Sequence, residues 1–466
     1  MSAVREALFW MLVLCGGYLV TVTGLYFLQL PFAFAEQEQR RRGRIETAPQ
    51  LRTGASVVIA AYNEAQTIAG TVRACLQQRH RRFEVIVVND GSKDETLEVL
   101  SREFRLGRCA WRPPEDALPT EPVRAVYRSK LDPRLTVVDK ANGGKADALN
   151  CGINVAREQH VCGVDADTVL DNDALERGLE AFVDPEVVGL TAYLSITRDP
   201  RQARFSRGTK FVDRSLFIMF QHLDYVRSFH NSRLAWTRLN YMLCTNGAFQ
   251  VWRRDVLVGL GGFSGEFTCE DIEFTFRVHE HYRRHGLPYR VVCVPDELGA
   301  TEGPQQVRSL VSQRARWQRV ILETFWQYRG MFGRRRYGTV GFLGMPFYLF
   351  SEVLAPVFEQ LAVAMLPLAV YADRLSWQTA VLFFGSIALS NGVLTTAALI
   401  IADRGEHAYR KRDLGRLALL SPIEFFVYRP ILTWARIKGT WGYARGHRGW
   451  DKFERNAGAE LRTVSA

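Results

Sequence analysis

Two long apolar runs without a charged side chain predict membrane-spanning helices near the two ends of the chain. Residues 7–35 contain no charged residue, and residues 375–402 form a second uncharged run rich in Leu, Ala and Ile. At ~1.5 Å per helical residue, each run exceeds the ~30 Å hydrocarbon core of a bilayer. A cleaved signal peptide is the alternative for the first run, but its apolar region would span only ~7–15 residues. We therefore expect residues 1–36 to form a retained anchor.

Two neighbouring segments are apolar but carry charges. Residues 337–372 include Glu352 and Glu359, which lie seven residues apart and therefore share one helix face. These carboxylates predict either a third span whose charged face contacts protein or water, or an interfacial lead-in before a shorter span. Residues 417–434 contain two prolines and two charges, and we interpret them as an interfacial helix that does not cross the membrane.

The middle of the chain alternates short apolar runs with helical patterns. The runs that predict strands are residues 56–61, 83–89, 135–138 and 161–164, and the patterns that predict helices are residues 65–78, 94–104 and 146–157. Short apolar strands separated by helices are typical of an α/β fold with a parallel sheet covered on both faces. The proline-rich residues 112–122 are expected to form a surface loop.

Polar and acidic residues follow three of these predicted strands. The first strand runs into Tyr-Asn-Glu at residues 62–64, the second into Asp-Gly-Ser at 90–92, and the fourth into Asp-Ala-Asp at 165–167. Ligands of such sheets bind beyond the carboxyl ends of the strands. Each motif alone is also typical of a turn, but three of them at one edge of a sheet predict a binding site.

The chemistry of this edge suits a diphosphate and a divalent cation. Asp165 and Asp167 are two residues apart, and Mg²⁺ or Mn²⁺ is commonly held by one or two carboxylates together with substrate phosphates. The sequence Asn-Gly-Gly-Lys at residues 142–145 precedes a predicted helix. Its glycines permit close backbone approach, and Lys145 supplies a positive charge for a diphosphate.

Three more motifs lie toward the end of the middle block. Cys-Glu-Asp at residues 269–271 precedes a helical pattern, and acids that stabilise a helix N-terminus are the structural alternative. Gln-Arg-Ala-Arg-Trp at 313–317 lies in a basic helical segment, where the first, fourth and fifth residues share one face. His-Glu-His at 279–281 lacks the HExxH spacing of a zinc site, so we interpret it as surface.

Composition alone would suggest a soluble enzyme, since the 466 residues are 47% hydrophobic and 23% charged, with a net charge of +11. The charge clusters at residues 40–44, 334–336 and 410–416 and in the tail from 436 onward, beside the predicted spans. Anionic lipids attract such clusters, so no nucleic-acid partner is required. With three spans, the positive-inside rule places the middle block and the C-terminus in the cytoplasm and the N-terminus outside. The eight scattered cysteines suit a reducing compartment.

The order of these motifs resembles the family 2 glycosyltransferases. In particular, it resembles their processive membrane branch, which includes cellulose, chitin-oligosaccharide, hyaluronan and poly-N-acetylglucosamine synthases. The resemblance covers about residues 55–330 and implies a GT-A-type domain with flanking transmembrane helices. The implied organisation is an anchor at 1–36, a cytoplasmic transferase domain at 37–336, two spans with an interfacial lead-in at 337–402, and a cytoplasmic basic tail at 403–466 with an interfacial helix.

The resemblance also implies roles for individual residues. The implied donor-binding residues are Tyr62, Glu64, Asp90, Lys145, Asp165 and Arg316; the acceptor-binding residues are Gly247, Glu270, Gln313 and Trp317; Asp167 would hold the metal and Asp271 would be the catalytic base. A single base and charge neutralisation at the leaving group are what an inverting transfer requires.

These roles predict a membrane enzyme that transfers N-acetylglucosamine or glucose from a UDP-sugar onto a growing β-linked polysaccharide. A non-processive transferase that adds one sugar to a lipid is the first alternative. A catalytically inactive polysaccharide-secretion subunit is the second, although intact acids in every motif argue against it. The expected partners are the donor, a carbohydrate or lipid acceptor, membrane lipids and an export protein.

Overall fold

A computed structural model describes residues 2–46, 53–202, 209–372, 375–405 and 409–446. The predicted basic tail therefore lies outside the described residues from position 447 onward. Within the described ranges, ten strands form one sheet. They are β1 Ala55–Ala61, β2 Phe83–Asp90, β3 Leu106–Cys109, β4 Val123–Ser129, β5 Leu135–Lys140, β6 His160–Asp165, β7 Val169–Leu170, β8 Val187–Thr197, β9 Phe249–Arg253 and β10 Arg290–Glu302.

The described α-helices complete the architecture. They are α1 Ser2–Glu46, α2 Ile68–Leu76, α3 Thr96–Phe104, α4 Lys145–Val155, α5 Ala174–Leu179, α6 Leu216–Arg227, α7 Leu234–Arg238, α8 Arg254–Gly259, α9 Glu270–His285, α10 Val307–Tyr328, α11 Met345–Tyr348, α12 Ala355–Tyr371, α13 Trp377–Asp403, α14 Lys411–Val427 and α15 Arg429–Ala444. Short π-helical segments flank α11 and join α6 to α7.

The sheet is mixed, whereas the sequence pattern predicted a parallel one. Its order is β3-β4-β5-β2-β1-β6-β9-β8-β10-β7. The four predicted strands are mutually parallel and lie together as β5-β2-β1-β6. Strand β9 runs antiparallel to both β6 and β8, and β4 runs antiparallel to β5. The parallel prediction is therefore right for the centre and wrong for the flanks, while the α/β class is confirmed.

Alternate residues of the central strands feed two separate apolar cores. On one face, Val57 and Ile59 pack with α2, α3 and α5. On the other face, Val58 packs with α4 and with a core that continues through α6, α9 and α10 to residues of α13. Since strand side chains alternate between faces, the sheet is covered on both sides. The second core joins the sheet and its covering helices directly to the apolar helix α13.

Three described helical segments are long and apolar enough to cross a membrane, and they match the three predicted spans. They are Glu6–Gly43, Val340–Tyr371 and Trp377–Asp403. Helix α1 does not end at Glu36, where we expected the anchor to end, but continues to Glu46. Its charged C-terminal turns run past the apolar part, and Arg238 of α7 lies 4.0 Å from the Glu36 carboxylate.

The two carboxylates of residues 337–372 face protein. Glu359 accepts hydrogen bonds from Arg429 and from Thr433, the latter at 2.7 Å. Glu352 lies 3.1 Å from Arg436. All three partners belong to α15, so the charged face of this segment is the face on which α15 packs. Of the two alternatives, the structure supports a helix whose charged face contacts protein.

Two features outside the site differ from the predictions, although the interfacial, non-spanning placement of residues 417–434 stays a prediction. Residues 417–434 do not form one helix, because α14 ends at Val427 and α15 begins at Arg429 with Pro430 in its first turn. Proline has no N–H to continue the preceding helix and is favoured in a first turn. His279 is not on the surface but fully buried, where its ring bonds the Tyr289 hydroxyl at 2.6 Å and the Met242 carbonyl at 2.7 Å.

Candidate active site

The carboxyl ends of the parallel strands open into a cavity of about 1680 Å³. Its lining includes all twelve residues that the sequence assigned to the site: Tyr62, Glu64, Asp90, Lys145, Asp165, Asp167, Gly247, Glu270, Asp271, Gln313, Arg316 and Trp317. These residues are up to 255 positions apart in sequence, between 62 and 317. The topology therefore brings the predicted set together, as expected for groups that follow adjacent parallel strands.

Hydrogen bonds connect the loop after β1 to the loop after β2 at one side of the cavity. The Asn63 side-chain oxygen accepts a hydrogen bond from the Lys93 N–H at 2.8 Å, and the Asn63 N–H donates to the Ser92 hydroxyl at 3.0 Å. Asn63 has a left-handed backbone with φ of 56°, a conformation that Asn tolerates. Glu64 lies before the turn that leads into α2, and its carboxylate accepts a hydrogen bond from the Thr67 hydroxyl at 2.8 Å. These bonds fix the position of Tyr62 at the cavity wall.

Asp90 organises the glycine loop that precedes α4. Its carboxylate accepts the N–H groups of Gly143 at 3.0 Å and Gly144 at 2.8 Å, and the Asn142 side-chain amide at 2.9 Å. Buried Lys140 lies 2.7 Å from the same carboxylate. Gly144 has φ of 88°, which an L-residue rarely adopts. Asp90 therefore holds the turn from which Lys145 projects.

Lys145 lies between two acids of the site. Its ammonium is 2.8 Å from Asp165 and 3.0 Å from Glu270. Burial alone would lower the pKa of Lys145, but the charges of Asp165, Glu270 and Asp271 together outweigh burial and hold its pKa well above the usual value. The side chain is therefore a permanent cation within the cavity.

Asp271 occupies the first turn of α9, next to Gly247. Burial and, after it, the charge of Glu270 raise the pKa of Asp271 to about 6, against the lowering effect of Lys145. A Cβ atom at Gly247 would lie 3.0 Å from both the Asp271 carboxylate and the Lys145 ammonium. Glycine thus leaves room for both charged side-chain ends, which a Cβ atom would crowd. A half-buried carboxylate with a pKa near neutrality is suited to proton abstraction.

Asp167 and Asp165 fit a divalent cation only with help from a substrate. Among the residues that the structure describes, no group of three or more His, Cys, Asp and Glu side chains could hold a metal alone. Asp165 and Asp167 nevertheless both line the cavity. Carboxylate oxygens are hard ligands, and Mg²⁺ commonly uses one or two of them with substrate phosphates. The donor set therefore fits a cation that arrives with a diphosphate.

Helix α10 presents Gln313, Arg316 and Trp317 to the cavity, as the helical spacing predicted. The opposite face of the helix carries Ala315 and Leu322, which are both buried. Burial of that side leaves the polar and aromatic residues facing the site.

The cavity continues from this helix toward the apolar helices, a feature that the motifs did not reveal. Its lining there includes Tyr26 of α1, Arg227 of α6, Glu359 of α12, Asn391 of α13 and Arg429 of α15. Arg227 is bidentate to the fully buried Glu424, at 2.7 and 3.0 Å. These charges come from separate parts of the chain. Only an unexplained carboxylate in an apolar segment, such as Glu359, could have signalled them in the sequence.

Comparison with known families gives two matches along the middle of the chain. The sequence model described as "Glycosyl transferase family 2" matches residues 56–110, and the one described as "Glycosyltransferase like family 2" matches residues 120–319. The matched ranges contain every predicted site residue. The predicted family and the predicted enzyme class are therefore confirmed.

Several curated relatives carry one name. The poly-beta-1,6-N-acetyl-D-glucosamine synthase of Staphylococcus epidermidis is 24% identical over 418 residues, which cover 86% of this chain and 85% of the relative. The enzyme of the same name from Staphylococcus aureus strain COL is 26% identical over 265 residues, or 57% of this chain and 53% of the relative. The first match extends beyond the transferase domain into the helices that flank it.

A solved structure shares the fold. A mannosyltransferase from Pyrobaculum calidifontis, determined with GDP-mannose and Mn²⁺, matches with a TM-score of 0.56 at 18% identity. The match covers 92% of this chain and 99% of that one. The predicted GT-A-type architecture is thereby confirmed, and the likeness includes helices outside the sheet.

Proposed function

The chain belongs to the family 2 glycosyltransferases, and on that premise we propose that it transfers N-acetylglucosamine from UDP-N-acetylglucosamine onto a growing β-linked polysaccharide at a membrane. The observation that carries this proposal is the single cavity, which contains the charged transferase motifs and continues among the apolar helices. A product made at one end of such a cavity has a path along it. The relatives named poly-beta-1,6-N-acetyl-D-glucosamine synthase favour N-acetylglucosamine over glucose.

Asp271 is proposed as the base. Its carboxylate takes the proton of the acceptor hydroxyl while that oxygen forms a bond to the anomeric carbon of the donor. The bond from this carbon to the diphosphate oxygen breaks, and UDP leaves with the electron pair. Attack from the face opposite the leaving group inverts the configuration. A half-buried carboxylate whose pKa is raised to about 6 supports this role, because it is ionised at neutral pH yet basic enough to accept a proton.

Donor binding is proposed for the residues around the glycine loop. Tyr62 and Glu64 would contact the nucleoside, and Asp90 would act through the loop it holds, as well as at the edge of the pocket. Lys145 and Arg316 would stabilise the negative charge that develops on the departing diphosphate. Gly247, Glu270, Gln313 and Trp317 would contact the acceptor.

A divalent cation is proposed at Asp167, beside Asp165. Mg²⁺ or Mn²⁺ bound there would supply Lewis-acid stabilisation of the diphosphate charge. Lys145 pairs with Asp165 at 2.8 Å, which places that acid beside the cation proposed to contact the diphosphate. Asp167 is thus the acid we assign to the metal and Asp165 the one we assign to donor contact.

The proposed location is the inner or plasma membrane, with the transferase domain in the cytoplasm and the N-terminus outside. Basic residues beside the three candidate spans support this orientation. A cytoplasmic site matches the compartment in which nucleotide-sugars are made. An export partner would receive the polymer on the other side.

Product size tests the proposal. Purified full-length protein in detergent would be incubated with radiolabelled UDP-N-acetylglucosamine and Mn²⁺ or Mg²⁺, with UDP-glucose in a parallel reaction. We expect a product of many sugar units from UDP-N-acetylglucosamine, and no product in the presence of a chelator. The chelated reaction, restored by excess metal, is the matched control.

Other outcomes distinguish the alternatives. A radiolabelled glycolipid with one sugar would replace the polymer proposal with a single-transfer enzyme. Failure of every UDP-sugar to bind in the presence of Mn²⁺ would instead support an inactive secretion subunit.

A further inference from the structure

We propose that Arg314 is a positioning residue for the acceptor: its guanidinium, held by Asp224, covers the Trp317 indole and fixes the ring as the surface on which an acceptor sugar stacks. This inference rests on the proposed function, since it concerns how the acceptor is held. The family motif assigns Gln313, Arg316 and Trp317 and leaves Arg314 without a task.

The contact between Arg314 and Trp317 is a close cation–π pair. The guanidinium carbon lies 4.2 Å from the indole centroid, well within the ~6 Å range of such interactions. Arg314 also lies 5.8 Å from the Tyr225 ring, and that ring is 6.4 Å from Trp317. The guanidinium and the two rings therefore form one packed group. Trp317 is only half-buried and lines the cavity, so part of its surface is available to a ligand.

A chain of ion pairs fixes the guanidinium. Arg314 lies 3.0 Å from the Asp224 carboxylate, whose other oxygen is 3.0 Å from Arg227. Arg227 is in turn bidentate to Glu424, which is fully buried in α14. The hydroxyl of Tyr428, at the junction of α14 and α15, accepts a hydrogen bond from Arg314 at 3.4 Å. Arg314 is thus connected to α6 and to both C-terminal helices.

These contacts use properties that only arginine has. A planar guanidinium can stack on an aromatic ring while its N–H groups bond a carboxylate in the plane. A lysine ammonium keeps the charge but cannot do both in a fixed geometry. A cation–π pair contributes about 0.5–2 kcal/mol, which corresponds to about a 2- to 30-fold change in an equilibrium constant. We expect this change in acceptor binding, because the donor residues are not part of the group.

The helices beyond the transferase domain are consequently part of the acceptor site. Glu424 and Tyr428 follow the last candidate span, and they bond Arg227 and Arg314, respectively. They are thereby connected to the acceptor surface through these two arginines. A change in α14 should therefore alter the acceptor step through these two side chains.

Steady-state kinetics of full-length Arg314→Gln and Arg314→Lys protein test the proposal. The acceptor would be a short N-acetylglucosamine oligosaccharide of defined length, with UDP release as the readout, and UDP binding would be measured by calorimetry. We expect Arg314→Gln to raise the acceptor KM by about 10-fold, within the range above, with UDP affinity and kcat changed by less than about 2-fold. Arg314→Lys should recover part of this loss.

The matched control is Arg445→Gln. Arg445 lies 4.7 Å from the Trp441 ring, another arginine–tryptophan pair on α15, but neither residue lines the cavity. Its kinetics should equal those of the wild type. Asp224→Asn provides a second test, since it should raise the acceptor KM as Arg314→Gln does.

Each outcome has one meaning. An unchanged acceptor KM in folded Arg314→Gln protein that binds UDP normally would overturn the positioning role. A proportional loss of UDP affinity, kcat and acceptor binding would also overturn it, because a general structural defect would have that effect. If the wild-type protein neither binds UDP nor transfers sugar, the proposed function itself fails, and this result is distinct from the other two.

Discussion

Gly247 sets how closely the charged groups of the site approach each other. Any side chain there would lie 3.0 Å from both Lys145 and Asp271, so the residue keeps an ammonium and a carboxylate beside the same backbone. Asp271 is thereby placed next to a cation yet remains buried enough to have a raised pKa. The balance between burial and the lysine charge decides how strong a base it is.

Replacement of Asp271 by Asn should abolish transfer while donor binding survives. The amide keeps the shape of the carboxylate but cannot accept the acceptor proton, so we expect kcat to fall by about 10²-fold or more. Radiolabelled transfer and UDP calorimetry on the same protein give both values. Asp116→Asn, in the exposed loop before β4, is the control. Turnover near the wild-type rate would remove Asp271 as the base.

The pH dependence of transfer should report the Asp271 carboxylate. Its folded-state pKa of about 6 means that the ionised, active form is lost as pH falls through 6 and is nearly complete above pH 7. We therefore expect kcat/KM to decline tenfold per pH unit in the acid limb, with UDP binding measured in parallel. A profile that stays flat down to about pH 5 would assign the base to another group.

The sequence predicted the site residues that belong to a recognisable motif. It did not predict residues whose task is to hold another side chain in place. The twelve assigned residues line one cavity. Lys140, which holds Asp90, carries no signal of its own because a lysine at a strand end is common on surfaces. Asp224 and Arg314 were also missed. Each is important because it forms an ion pair with the other, and the two are 90 residues apart in sequence.

At the level of elements, α10 is held against α15 by glycine. A Cβ atom at Gly439 would lie 2.3 Å from the Ala315 carbonyl oxygen and 2.7 Å from the Gln318 Cβ. Arg436, one turn earlier, donates to the Gln318 side chain at 3.0 Å. The helix that carries two of the proposed acceptor residues thus packs closely, backbone to backbone, on α15.

Gly439→Ala should separate these helices, whereas Gly442→Ala should not. A Cβ at Gly442 would meet the Arg319 side chain at 3.5 Å, an ordinary contact. Each change from glycine to alanine gains about 1 kcal/mol of helix propensity, so the difference in unfolding free energy between the two variants reports helix packing. We expect the packing clash to destabilise Gly439→Ala by about 1–3 kcal/mol. Thermal unfolding in detergent and the acceptor KM measure it. Equal Tm values for the two variants would contradict the close packing.

The central elements were predictable because β-branched, uninterrupted apolar runs identify strands that are buried on both faces. The antiparallel pairs beside β6 were not, since β9 pairs with β6 and β8, and β10 with β7, all strands that precede them by tens of residues or more. Pairing over such distances depends on tertiary contacts that no local pattern records. The junction at Tyr428 was missed similarly, although Pro430 was a visible signal.

Across the whole molecule, ion pairs join the apolar helices to the C-terminal pair. Glu359 of α12 contacts Arg429 and Thr433 of α15. Within an apolar environment, loss of one partner leaves a charge without compensation, which is more costly than loss of both. The pair therefore fixes the arrangement of these helices more than it adds to stability.

A double-mutant cycle at this pair should be strongly non-additive. We expect Glu359→Met and Arg429→Met each to destabilise the protein by about 3–5 kcal/mol, and the double variant to be less destabilised than the sum. Thermal unfolding in detergent measures all three. The Arg79–Asp173 pair, half-exposed at 3.1 Å, is the control and should be additive. Additive losses at Glu359 and Arg429 would indicate that water or lipid headgroups solvate the charges.

The wall of the cavity is assembled from residues as far apart as Leu19 and Arg436. In evolutionary terms, this shared wall removes the usual freedom to recombine. A catalytic segment acquired from a relative would bring only its own part of the cavity wall. The residues that it contacted in the helices of the relative would be missing from the recipient protein. Lineages of this architecture should therefore exchange whole genes more readily than segments, and functional chimaeras should need α1, α6, α10 and α12–α15 to come from a single parent.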